Sequence, residues 1–199
     1  ARHTILLVDG VRIGSATAGA PNWDNIPLDM IERIEVLKGP ASAVYGSEGV
    51  GGVVQVFLRQ GVKGFSPYAA ATLGSNSFVE VSAGLLGGDG ALSYALGVQN
   101  IQDKSFSATN SKVAFGSYNP DRDAFKQDAV NASVAYRINS DWKIDAGLLY
   151  SDGVSHYDEG STGDANVALR TQTLRAGLEG KILPNWKTQL RASQSADKY

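Results

Sequence analysis

Cysteine is absent, methionine occurs once and histidine twice in these 199 residues. With no thiol there is no disulfide framework to hold a small fold together. His3 and His156 are the only imidazoles, and no Ser-His-Asp arrangement follows from their spacing. Catalysis therefore has little support, and His156, set among acidic residues, reads as a surface residue rather than a general base. A formal net charge of −2 gives no sign of a nucleic-acid partner. No run of 18 or more apolar residues occurs, which excludes a membrane-spanning helix and leaves membrane-spanning strands untouched. Glycine is plentiful, with 23 residues. Four of them, Gly46, Gly49, Gly51 and Gly52, follow the order G-x-x-G-x-G-G, which lacks the G-x-x-x-x-G-K-[ST] pattern of a phosphate-cradling loop.

The stretch from Ile26 to Val56 is the most ordered in the chain. Pro27 opens a short helical turn, and Ile31, Ile34, Val36 and Leu37 predict a buried strand. Gly39-Pro40 breaks it. Pro40 suits the first position of a short helix through Ala41 to Tyr45, where its missing N–H would be unpaired anyway. The following glycines permit tight turns before Val53, Val54, Val56 and Phe57 form another strand.

A short linker from Gln60 to Ser66 separates this region, residues 1–62, from residues 63–199, where strand follows strand. Val130, Ala132, Val134, Tyr136 and Ile138 share one face, opposite Asn131, Ser133, Ala135 and Arg137. The pattern recurs with Trp142, Ile144, Ala146, Leu148 and Tyr150, and again with Leu174, Ala176, Leu178 and Ile182. No charge falls on these three apolar faces. Lengths of about 10 residues suit a tilted bilayer crossing, and Trp142 and Trp186 begin strands just after tight turns, as an interfacial girdle requires. A soluble sandwich with core aromatics is the alternative. Tight turns at Gly87–Gly90, Asn139–Asp141 and Leu183–Asn185 alternate with long connections at Asp103–Gln127 and Gly153–Arg170. In bacterial outer-membrane barrels short turns are periplasmic and long loops extracellular. Ser75 to Ser77 then makes a short outer loop. About seven strands can be counted, too few to close a plugged lumen, so most of such a barrel lies outside this chain, which reads as a fragment.

From Ile26 onward the sequence fits I-P-x-x-x-I-E-R-I-E-V-L-x-G-P-x-S-x-x-Y-G-x-x-x-x-G-G-V. It resembles the last segment of the plug domain in TonB-dependent outer-membrane receptors. The resemblance implies a mainly β chain: an α+β plug segment followed by antiparallel strands of an incomplete transmembrane β-barrel, in the outer membrane of a Gram-negative bacterium. Within the family it is most similar to the cobalamin receptors, through Val8-Asp-Gly-Val-Arg12, Tyr45-Gly-Ser47, Leu73-Gly-Ser-Asn-Ser-Phe78 and Asn119-Pro-Asp-Arg-Asp123. It departs from them at Val56-Phe-Leu-Arg59 and Glu48-Gly49. A ferric-siderophore or haem receptor of the same fold is the second reading, and a passive porin or adhesin-like barrel the third. The implied partners are the TonB–ExbB–ExbD complex, acting through a box that would precede Ala1, the cobalamin or iron-chelate ligand, and outer-membrane lipid. No organic cofactor is implied.

Two candidate sites follow. Gly14, Ser15, Ala16, Thr17, Ala18, Gly19 and Asn22 form a small-residue loop after a strand ending near Ile13. Small residues let backbone approach a bulky ligand, and equally make a flexible turn. Asp121, Asp123 and Asp128 in one connection, and Asp152, Asp158, Glu159 and Asp164 in the other, offer hard oxygen ligands of the kind Ca²⁺ takes. Cobalamin receptors use Ca²⁺ in the corresponding loops, and Asp121, Asp123, Tyr157, Asp158 and Asp164 look like the matching positions. Solvated turn aspartates are the other reading, since the charge of Arg122 opposes a cation. Arg137, Arg175, Arg191, Glu179 and Asp145 face the expected lumen, where charge costs little beside water.

Overall fold

The structure, a computed structural model, describes residues 4–14, 21, 23–46, 49–107, 109–112, 118–160 and 163–198. β1 (Thr4–Val8) turns back into β2 (Val11–Ile13) through Asp9 and Gly10, whose φ values of 48° and 81° are both left-handed. A two-residue hairpin with φ positive at both positions favours Asp-Gly, because glycine carries no Cβ penalty there. A 3₁₀ turn, Leu28–Met30, follows Pro27 and leads into β3 (Ile31–Lys38). The short α1 (Ser42–Tyr45) then precedes β4 (Gly52–Leu58). The four strands form one mixed sheet in the order β2-β1-β4-β3, with β1 and β4 parallel.

The expected burial of β3 is not found. Ile34 is 53% and Val36 59% exposed. β3 is the edge of its sheet, hydrogen-bonded only to β4; Ile31 packs against the core, but Ile34, Val36 and Leu37 are left exposed among the described residues. The buried strands are β1 and β4, through Leu6, Val8 and Val56 on one face and Ile5, Leu7 and Val53 on the other.

After residues 59–63 come β5 (Gly64–Leu73), β6 (Val79–Gly88), β7 (Leu92–Asp103), β8 (Phe125–Arg137), β9 (Trp142–Asp158), β10 (Asp164–Leu183) and β11 (Trp186–Lys198). Each pairs antiparallel with its sequence neighbour, and β5 and β11 stay unpaired to each other, so the seven-stranded sheet is open. Ser75–Ser77 is a 3₁₀ turn joining β5 to β6. Gly180 lies beneath the indole of Trp142, in space that a Cβ would fill.

The connection expected from Gly153 to Arg170 is mostly strand. Tyr157 pairs with Ala165, Ser155 with Val167 and Asp158 with Asp164, so the two strands run up to Asp158 and from Asp164. Branched and aromatic residues alternating with small ones favour a ladder over a loop. The connection after β7 remains long, at residues 104–124.

The wall presents two faces. Gln127, Ala129, Asn131, Leu149, Ser151, Thr171 and Thr173 are buried towards the plug, whereas Val130, Val134, Ile144 and Leu174 point outward and are exposed. Ala129 and Leu149 join Leu6, Val8, Met30 and Val56 in one cluster, so the plug shares its core with the wall. Burying a side chain such as Leu149 contributes about 1.5–3 kcal/mol.

Candidate ligand and cation site

Polar contacts through Asn25, Asp9 and Asp29 fix the plug segment against the wall. Asn25, 2% exposed, donates from Nδ2 to the Ser151 carbonyl at 3.1 Å and to Thr171 Oγ1 at 3.0 Å. Its Oδ1 accepts from Ser151 Oγ at 2.9 Å and from Gln127 Nε2 at 3.3 Å. One side chain thus bridges β8, β9 and β10. Arg175 reaches Asp145 Oδ2 from Nη1 at 2.5 Å and Asp9 Oδ2 from Nη2 at 3.4 Å. Burial pushes the Asp9 carboxyl above its ordinary value, against the opposing pull of the Leu58 N–H and of Arg175. Asp29 accepts from the Ser82 hydroxyl.

At the end where the long connection emerges, acids converge. One carboxylate oxygen from each of Asp121, Asp123 and Asp158 lies within 4.8 Å of the others. The first two ride on the 104–124 connection and the third ends β9. Oδ1 of Asp121 and of Asp158 is buried without a hydrogen-bond partner, and the second oxygen of Asp158 accepts from Ser107 Oγ at 3.2 Å. Burial, then repulsion from Asp158, Asp123 and Asp164, raises the Asp121 pKa. Asp158 is lowered, first by a bond from Thr109 and also by the Asn119 N–H and Ser107. A cation held there would therefore compete with a proton at Asp121 more than at Asp158. Such oxygens fit a hard divalent cation.

The other expected positions lie around this trio. Asp164 faces Asp158 across the hairpin and is engaged by His156 Nδ1 at 3.4 Å. Tyr157, half-exposed, takes the strand face opposite Asp158 by alternation. Arg122 is exposed. Gly14 closes β2, and its N–H donates to Asp197 Oδ2 at 2.9 Å, tying this end of the plug sheet to β11. Ser15, Ala16, Thr17, Ala18, Gly19 and Asn22 lie outside the described residues.

A cavity of about 590 Å³ adjoins the trio through Asp123. Trp23 and Leu28 line it from the plug, Ile101, Phe106 and Phe125 from the wall. None of these residues stood out in the sequence, because single aromatics near loops carry no periodic signal. Flat or apolar ligand groups fit such a lining, with Asp123, His156 and Gln127 as polar points.

A mixed plug sheet docked inside an antiparallel meander defines a class. Residues 1–53 match the TonB-dependent Receptor Plug Domain family, and the chain belongs to the TonB-dependent outer-membrane receptors. The vitamin B12 transporter BtuB of Photobacterium profundum is 33% identical over 158 residues, 79% of this chain and 25% of that protein. The BtuB of Vibrio vulnificus strain CMCP6 is 28% identical across 98% of this chain and 30% of its own length. The chain therefore spans about a quarter to a third of these curated relatives. Among solved structures, the siderophore receptor PirA of Acinetobacter baumannii superposes with a TM-score of 0.76 at 20% identity, covering 96% of this chain and 32% of PirA. The Q482A mutant of the ferric enterobactin receptor PfeA of Pseudomonas aeruginosa does so at 0.74 and 17%, covering 98% and 33%. At those identities the likeness is one of fold.

Proposed function

We propose that this receptor binds cobalamin at its extracellular mouth and imports it, energised by the TonB–ExbB–ExbD complex, with its wall strands seated in outer-membrane lipid. The observation that carries the reading is the meeting of Asp121, Asp123 and Asp158 beside a plug–wall cavity. By the resemblance set out above, cobalamin receptors hold Ca²⁺ in these loops, and Asp164 and Tyr157 stand close enough in sequence to complete the oxygen set. Ligand would then rest on the cation-ordered loop, the cavity and the small-residue segment Gly14 to Asn22. No catalytic step is assigned: His156 engages Asp164 on an outer hairpin.

A ferric-siderophore or haem receptor is the second reading, favoured by the aromatic lining of Trp23, Phe106 and Phe125, which suits flat catecholate or porphyrin rings. Calorimetric titration of the purified full-length receptor with cyanocobalamin, in millimolar Ca²⁺ and again in chelator, separates the two. Cobalamin binding that weakens in chelator is expected. Binding of a ferric siderophore with none of cobalamin moves the receptor to the second reading.

A further inference from the structure

The opposite end of the inner wall carries the opposite charge. Arg137, Lys143, Lys181, Lys187 and Arg191 share the plug-facing side of β8 to β11 near the short turns, by the alternation that buries Gln127, Leu149 and Thr173. Arg137 stands directly opposite Lys143, and Lys181 directly opposite Lys187. Like charges facing each other across a ladder oppose the pairing. Glu179 faces Lys143, and Asp145 is held by Arg175. Arg137, Lys143, Lys181 and Lys187 form no ion pair with any described residue. Sequences that keep a local conflict of this kind tend to do so at functional sites.

Space accompanies the charge. A cavity of about 190 Å³ at the turn end, lined by Arg137, Lys181 and Lys187, adjoins one of about 240 Å³ between the wall and plug residues Gln55 and Phe57. Lys143 and Glu179 line both. Acids thus gather at the mouth, whereas around the turn-end cavity Arg137, Lys143, Lys181 and Lys187 outnumber Asp141 and Glu179. For an anionic group, such a field runs inward.

We infer that this basic wall is a transit site for an anionic oxygen group of the cargo, received once the plug has been remodelled. The inference rests on the uptake reading above but not on the cargo's identity, because the phosphodiester of cobalamin and the oxygens of a ferric tris-catecholate share this chemistry. In this chain the site opens at the turn end, beside the plug strands that are present.

Two measurements test it on the full-length receptor. In the first, the purified protein is titrated at low salt with inorganic tripolyphosphate, a probe independent of the cargo. The wild type and a Lys143→Arg, Lys187→Arg double variant bind it, and a Lys143→Gln, Lys187→Gln double variant binds at least about tenfold more weakly. No binding to the wild type, or equal binding to the Gln variant, overturns the site. In the second, cells expressing each variant are given labelled cyanocobalamin or a labelled ferric tris-catecholate. Surface binding without a proton gradient should be unchanged, while initial uptake falls about threefold or more in the Gln variant and recovers in the Arg variant. Uptake at the wild-type rate, or equal loss in both doubles, overturns the transit role. Surface binding also reports assembly. Lys187→Gln alone, exposed beside its turn, replaces the double under the same criteria if the double fails to reach the surface. Failure of both cargoes to bind counts against the ligand reading, while the tripolyphosphate result still decides the site.

Discussion

Asn25 and Ser151, 126 positions apart, bond each other twice: the serine hydroxyl donates to Asn25 Oδ1 and the asparagine amide donates to the Ser151 carbonyl. Both residues are buried, so the pair is a point of fixed register between plug and wall.

Asn25→Ala should therefore loosen the plug. Each buried partner left unsatisfied, among Ser151, Thr171 and Gln127, costs about 1–3 kcal/mol. Thermal unfolding of the full-length receptor, together with hydrogen exchange in β1 and β4, would register the loss. Exchange as slow as in the wild type would show that the shared apolar cluster suffices.

Arg175→Ala strands two carboxylates at once and should cost on the order of 3 kcal/mol at neutral pH. The pH dependence has a definite sign. Asp9 in the folded protein already binds its proton above the ordinary 3.8, so losing its cationic partner pushes it further the same way. A carboxyl raised in the folded state contributes stability as pH falls through its folded value and loses it as pH rises. The deficit of the variant should shrink in mild acid, and unfolding curves at two pH values would reveal it.

At the mouth the same logic governs the proposed cation. Asp121 is raised by burial and by its acidic neighbours, so a metal-free loop gains stability as pH drops through that folded value, while Ca²⁺ must displace the proton. Affinity for Ca²⁺ should decline on acidification earlier than an ordinary carboxylate would dictate, with protons released on binding. An extracellular site of this kind has a Kd of about 10⁻⁴ to 10⁻³ M. In the Asp121→Asn, Asp158→Asn double variant, calorimetry should find neither heat nor proton release.

The facing of the wall can be tested with one charge placed twice. Ala146 points outward and Gln189 inward. Arginine near the lipid midplane costs about 2–4 kcal/mol and much less on the lumen side. Ala146→Arg should reduce heat-modifiable receptor in the outer membrane, and Gln189→Arg should not. Equal yields would contradict the orientation of β9 and β11.

Period-two alternation made the wall strands and their inward and outward residues legible, because a sheet with one apolar face and one face against the plug punishes every slip of register. The turn chemistry at Pro27 and Gly39-Pro40 was equally readable. The strand nature of residues 153–158 and 164–170 was not, since acidic residues and glycines there mimic a loop and only cross-strand pairing reveals the ladder. Nor was the exposure of β3, because Ile34 and Val36 read as core whether or not a covering layer is present. The gathering of Asp121, Asp123 and Asp158 follows from two elements meeting in space, and spacing along the chain holds only the candidates. Asn25 gave no signal at all: its role depends on three side chains more than 100 residues away.

The length of β10 has a mechanical meaning. Twenty residues at ~3.4 Å each make a strand of about 68 Å, which at a tilt of ~45° climbs about 48 Å, far beyond an apolar band of ~25 Å. The β9–β10 hairpin is therefore a pillar taller than such a band, stiffened rung by rung up to the pairing of Asp158 with Asp164. Asp158 is carried on the fixed jaw of a clamp. Asp121 and Asp123 ride on the other jaw, a long connection with no strand among its described residues. Under the proposed cation binding, the ordering entropy would fall on that connection rather than on the ladder, so changes at Asp121 and Asp123 should tune cation affinity while leaving the pillar unaltered.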